Sequence, residues 1–178
     1  MGVAERRVRV VVGIGAAAVL AAGAVGHPNH EGSIGEGDPG TSLGGSFPAQ
    51  NIELRGQVTL AELGPGSRTG ADCWGYVSPS GREYGILGVS DGFAFIEVTD
   101  ALRPEVVAFI PGASSVWRDV KTFGSYAYGV SEADIGLQVF DLSQIDAGVV
   151  TLANTITLGG ELSTHNVAIN EESGYLYR

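Results

Sequence analysis

The chain contains a single cysteine, Cys73, so no disulfide can close within it. In an exported protein an odd cysteine signals a free thiol or a partner elsewhere. Cationic side chains are also scarce. Ten Lys and Arg stand against twenty Asp and Glu, for a formal net charge of −10, and no basic cluster follows Arg9. Nucleic-acid phosphates are bound by such clusters, so a nucleic-acid partner is not expected. The acidic balance serves solubility or draws cations. No Gly-rich loop of the phosphate-cradling kind closes on a Lys. Cys73 has no histidine near it in sequence, which leaves a cysteine nucleophile without its base. Charged residues of all kinds make up only 17% of the chain, whereas glycine is abundant at 28 residues. A glycine-rich, charge-poor chain with many short apolar runs is expected to be all-β.

Residues 1–26 have the form of an export signal. Arg6, Arg7 and Arg9 make a basic start, Val10 to Val25 is apolar, and Ala22-Gly23-Ala24 is a small-x-small pattern that places cleavage near Ala24. The competing reading is a retained membrane helix, for which the run is short against ~30 Å of hydrocarbon and is thinned by Gly and Ala. Arg6-Arg7 is only a weak mark of the twin-arginine route. Residues 27–50 are rich in Gly, Pro, Ser and Asn and read as a disordered linker. Within it His27, His30 and Glu31 could form a metal cluster, but the composition fits a solvated tail better. From Asn51 to Leu63, Ile52, Leu54, Val58 and Leu60 fall on alternate positions, which predicts an outer strand ended by Gly64-Pro65-Gly66.

The remainder repeats. Gly92-Phe-Ala-Phe-Ile-Glu-Val-Thr-Asp100 recurs as Gly136-Leu-Gln-Val-Phe-Asp-Leu-Ser-Gln144, 44 residues later. Strands are predicted at 73–77, 82–90, 93–98 and 105–110, then at 116–122, 126–131, 137–142 and 149–158, with a third copy starting at 165–170 and 175–177. Four short strands in about 40 residues make one β-propeller blade. The prediction is therefore about two and a half blades of four-stranded antiparallel sheet over residues 51–178, interrupted in the third repeat. A ring needs about four blades or more. The chain therefore reads as the N-terminal fragment of a longer protein rather than one that closes by association, because ending mid-strand leaves an unpaired edge. Trp74, Trp117 and His165 are taken as the heads of the three repeats.

These motifs carry a resemblance. Asp72-Cys-Trp-Gly-Tyr-Val77, Arg82 to Asp100, Ser115-Val-Trp-Arg-Asp-Val-Lys121, Val130-Ser-Glu132, Gly136 to Leu142 and Thr164 to Glu171 resemble the choice-of-anchor B family of bacterial surface proteins. The repeat is similar to the LVIVD repeat. The resemblance spans about residues 50–178. It implies an exported, extracellular or cell-surface propeller whose anchor and later blades lie beyond Arg178, where further cysteines could pair with Cys73. It transfers no catalytic residues.

Trp117, Arg118 and Asp119, with His165 and Asn166, are the candidate ligand residues, because first strands line a propeller's central channel. The competing role is structural, with Asp119 pairing with Arg118 or capping a turn and His165 tying neighbouring blades. Asp91, Glu132 and Asp134 occupy equivalent hairpin loops. Calcium there is the one cofactor with a candidate place, against a role as solvated turns. Glu97 and Asp141, ending the third strands, are expected to hold backbone amides of the next turn. The favoured function is a non-catalytic binding module for a surface protein or polysaccharide, touching membrane only through its signal or an anchor outside this chain. The alternative is a secreted metal-assisted hydrolase or lyase using the channel.

Overall fold

The computed structural model describes residues 54–178. The expectations for the signal at 1–26, the linker at 27–50 and the His27–His30–Glu31 cluster lie outside that range. Within it the chain is all-β apart from short helical turns, as its composition predicted. Two four-stranded antiparallel meanders follow one another. The first holds β1 (Gly70–Val77), β2 (Glu83–Val89), β3 (Gly92–Glu97) and β4 (Glu105–Pro111). The second holds β5 (Arg118–Phe123), β6 (Tyr126–Ser131), β7 (Leu137–Gln144) and β8 (Val149–Ile156). A hairpin of β9 (Ala168–Asn170) and β10 (Tyr175–Tyr177) comes last.

The turn chemistry explains the boundaries. Val89 pairs with Gly92 across a two-residue turn of Ser90 and Asp91, so Gly92 opens β3 rather than forming the turn. A Cβ at Gly92 would stand 2.2 Å from the Ile110 carbonyl oxygen, and one at Gly136 would stand 2.8 Å from that of Ile156. Glycine at the head of each third strand thus lets the fourth strand close against it. Between β7 and β8 a 3-10 turn, Ile145–Ala147, folds its Ile145 into the core.

The sheets stack in one direction. The same strand positions face the next sheet in both meanders. Tyr84, Ile86, Phe93 and Phe95 of the first sheet pack on Val120, Ala127, Phe140 and Leu142 of the second, together with Ile145 and Val150. Phe140 meets Phe93 at 5.1 Å and Phe95 at 5.6 Å between ring centroids, both tilted, which is the favoured aromatic geometry. On the far side of the second sheet, Val130 and Leu137 pack on Val167 of the third unit, with Tyr128, Ile156 and Leu176 around them. The first strands of the three units, β1, β5 and β9, lie next to one another across the stack.

The outer face of the first sheet has a different cover. Leu87, Val89 and Ala94 pack under Leu63, with Val58 and Leu60 beside it. The expected strand over 51–63 is not formed in its described part. Leu54 makes an isolated bridge, and Leu60–Leu63 is one turn of helix, α1. The alternation of apolar residues is real but serves a strap that presses on the sheet face. The local signal is Thr59-x-x-Glu62: the Glu62 carboxylate accepts from the Thr59 amide at 2.7 Å and from its hydroxyl at 2.5 Å.

Candidate functional site

The register of the first strands decides which residues are equivalent. Cys73 pairs with Leu87, and Val120 pairs with Gly129 at the matching place. Trp74 opposite Ile86, Lys121 opposite Tyr128 and Ala168 opposite Tyr177 are therefore one position. The residues that repeat are Asp72, Asp119 and Asn166, each 47 residues from the next (72 to 119, 119 to 166). This corrects the expected alignment of Trp74, Trp117 and His165. Trp117 precedes β5 and His165 precedes β9, whereas Trp74 lies inside β1. The missed signal is an Asp or Asn directly before a Cys or Val.

These repeating residues tie the three sheets together. Asp119 is 2% exposed. Its Oδ2 accepts the Val167 amide at 2.8 Å and the Asn166 side-chain amide at 3.5 Å, both from the third unit. Its Oδ1 accepts the Val120 amide at 2.7 Å and pairs with the Lys121 ammonium. Lys121 is the chain's single lysine. It reaches back to Asp72 Oδ2 at 2.9 Å and lies 4.5 Å from the centre of the Trp74 ring. One cation thus joins two carboxylates from neighbouring sheets.

The two carboxylates are pushed apart in pKa. For Asp119, burial acts to raise the value, but bonds from Asp72, Lys121 and the Val167 amide outweigh it and hold the carboxyl below its ordinary range. For Asp72, burial and the neighbouring Asp119 exceed the pull of Lys121, and its value rises. Burial also acts to lower the Lys121 value, yet its two carboxylates keep the ammonium above its usual one.

Arg118 does not pair with Asp119. It is 3% exposed and turns toward the first sheet, where Nε donates to the Val89 carbonyl at 2.6 Å and Nη2 to the Ala113 carbonyl. Its guanidinium stands 5.3 Å from the centre of the Phe93 ring, and Nη1 is buried without a hydrogen-bond partner among the described residues. Burial lowers its pKa, but guanidinium remains charged.

His165 and Trp117 occupy a separate, exposed corner. His165 Nδ1 meets Glu132 Oε1 at 2.6 Å, and its ring lies 5.3 Å from that of Trp117. Of the five candidate residues, then, Asp119 and Asn166 meet directly, Trp117 and His165 meet directly, and Arg118 stands apart. Of the acidic hairpin residues, Glu132 belongs to this corner and Asp91 does not. Asp91 accepts from the Gly66 amide at 2.9 Å and the Ser67 hydroxyl at 2.6 Å, anchoring the strap. Among the described residues no group of three or more His, Cys, Asp or Glu is gathered to hold a metal ion.

Glu97 and Asp141 share a strand position but not a role. Asp141 accepts the Ser143 amide at 2.8 Å, as expected of a turn acid. Glu97 instead forms a two-pronged pair with the Arg82 guanidinium. Cys73 is half-buried against the strap-covered face. Burial, then the nearby Asp72, raises its thiol pKa and makes it a poor nucleophile. A Gly-x-Ser-x-Gly string occurs at Gly40-Thr41-Ser42-Leu43-Gly44, outside the described residues. No strand-like run precedes it in the sequence, so it lacks the pattern of a nucleophile elbow. The chain matches no protein-family model, no curated protein and no solved structure.

Proposed function

We propose that the chain folds as part of an exported β-propeller of the LVIVD-repeat type, similar to choice-of-anchor B surface proteins, and that it acts as a non-catalytic binding module. The observation that carries this reading is the one-directional stacking, in which the same face of each unit packs on the opposite face of the next. Such head-to-tail contacts form a ring when the rotation per unit closes. The inner strands β1, β5 and β9 would then line the axis, with Asp72, Asp119 and Asn166 as a polar row between units.

The row favours scaffolding over chemistry. Asp119 spends its acceptors on Val120, Lys121, Asn166 and Val167, and Arg118 binds two carbonyls of the preceding unit and its linker. A general base or metal ligand needs a free lone pair aimed at a substrate. Outside the row, Trp117, His165 and Glu132 are exposed on loop residues, as suits a module that binds through loops.

The protein as secreted by its native host tests this. The reading expects recovery outside the cell, a ring-shaped particle in electron micrographs, and no turnover of hydrolase substrates. An open stack of sheets, or stoichiometric metal accompanied by turnover, contradicts it.

A further inference from the structure

The corner formed by Trp117, His165 and Glu132 is not explained by the scaffold. The backbone at Trp117 has a structural role, since its carbonyl accepts the Glu132 amide at 3.4 Å. In the first sheet the Thr69 carbonyl accepts the equivalent Ser90 amide at 3.0 Å. Threonine fills that role with a small side chain, so the indole at 117 is surplus to it. Trp117 is 53% exposed and belongs to none of the apolar clusters. The next position shows the same divergence. Arg118 turns inward and binds backbone carbonyls, while His165, which precedes Asn166 as Arg118 precedes Asp119, turns outward onto Trp117 and Glu132.

The corner is nonetheless fixed in place. The Ser115 hydroxyl accepts the Trp117 amide at 3.1 Å and donates to the Trp117 carbonyl at 3.0 Å, which pins the backbone under the indole. The His165–Glu132 bond holds both polar side chains beside it. When Nδ1 of a neutral His165 donates to Glu132, Nε2 is left as an acceptor, and the carboxylate keeps Oε2. A held indole with two acceptors at its edge suits a flat, weakly polar ring that carries hydroxyl donors.

We propose that Trp117, His165 and Glu132 form a saccharide subsite, with a pyranose ring stacked on the indole and its hydroxyls donating to Glu132 and His165. The inference rests on the binding-module reading and names its ligand class. The saccharide is neutral or N-acetylated. Glu132 in the subsite and a chain charge of −10 repel uronate or sulfate groups.

Only two tryptophans, Trp74 and Trp117, report by fluorescence. The full chain is titrated with cello-, xylo-, manno- and chito-oligosaccharides, with an oligogalacturonide as the anionic probe. The expected result is a saturable emission change with at least one neutral probe and none with the anionic one. That change persists in Trp74→Phe. Isothermal titration then shows binding weakened by roughly tenfold or more in Trp117→Ala, as loss of a stacking platform requires. Glu132→Gln weakens binding less, and the thermal midpoint of Trp117→Ala stays at that of the parent. No saturable binding by any neutral oligosaccharide overturns the inference. Undiminished binding in Trp117→Ala also overturns it, while leaving the binding module intact with its ligand elsewhere. Release of new reducing ends contradicts the non-catalytic reading instead, and the Trp117→Ala comparison still judges the subsite.

Discussion

Tyr84 and Tyr126 hold the same place in successive sheets. Each stands at the start of a second strand and pairs with the acid of the third, Glu97 or Asp141. Tyr84 is 2% exposed and Tyr126 is 41% exposed. The difference comes from the neighbouring unit. The β7–β8 connection of the second sheet folds over Tyr84, and its Asp146 accepts the phenol hydroxyl at 2.7 Å. Among the described residues no such connection lies over Tyr126. Burial in this fold is thus a property of the stacking and not of the strand sequence alone. The polar row shows the same dependence: Asp119 is closed in by units on both sides, whereas the Asp72 side chain remains 43% exposed.

The largest expected effect breaks the tyrosine comparison. Tyr84→Ala removes a buried ring from between the sheets and should cost about 4 kcal/mol in urea unfolding, whereas Tyr126→Ala should cost about 1 kcal/mol or less. Equal costs would mean that the second sheet is as fully covered as the first. The Asp pair follows. Asp119→Ala strands the Val167 amide and the Asn166 side chain and should cost about 3 kcal/mol. Asp72→Asn should stay within about 1 kcal/mol of the parent, since its surroundings already disfavour the ionised form.

The pH dependence sharpens that second pair, because the two acids act with opposite sign. The lowered value of Asp119 in the folded state means that its ionisation stabilises the fold. That contribution is complete above the ordinary carboxylate value of about 3.9 and is lost as pH falls through the lower folded value. The raised value of Asp72 means that its ionisation opposes folding above its folded value, and protonation relieves this as pH falls. The deficit of Asp119→Ala should therefore shrink below about pH 4. Any gain from Asp72→Asn should be greatest at neutral pH and fade on acidification. A smaller effect is expected from Tyr84→Phe, which deletes only the bond to Asp146 and should cost about 1 kcal/mol; Tyr126→Phe should be neutral.

Much of the sheet architecture was legible because its signals are local. The alternation in Tyr126-Ala-Tyr-Gly-Val-Ser131 sets β6 to the residue, and the Gly92 and Gly136 heads of the third strands fix their 44-residue spacing. What misled were the conspicuous side chains. Aligning on tryptophan joined Trp74, which lies over Lys121, to Trp117, which lies outside any strand. The equivalence rests on backbone pairing and on small polar residues, which the apolar pattern does not reveal. The segment up to Leu63 misled for another reason. Alternation reports which side chains are buried, and a strap across a sheet buries alternate residues as an edge strand does.

The polar row was legible in its members but not in its partners. Asp119 next to Arg118 suggested a local ion pair, yet strand pleating sends adjacent side chains to opposite faces. Arg118 thus reaches the first sheet, while Asp119 meets Lys121, two positions on. The bond to Val167 spans 48 residues, and no local pattern announces it.

Amide hydrogen exchange at Val167 tests the central claim, that the units are tied across their first strands by Asp119. In the parent chain this amide donates to Asp119 at 2.8 Å and should be protected. In Asp119→Ala its exchange should quicken by roughly tenfold or more beyond any change at the β2 and β3 amides. An unchanged Val167 amide, or an equal rise at every amide, would contradict the account.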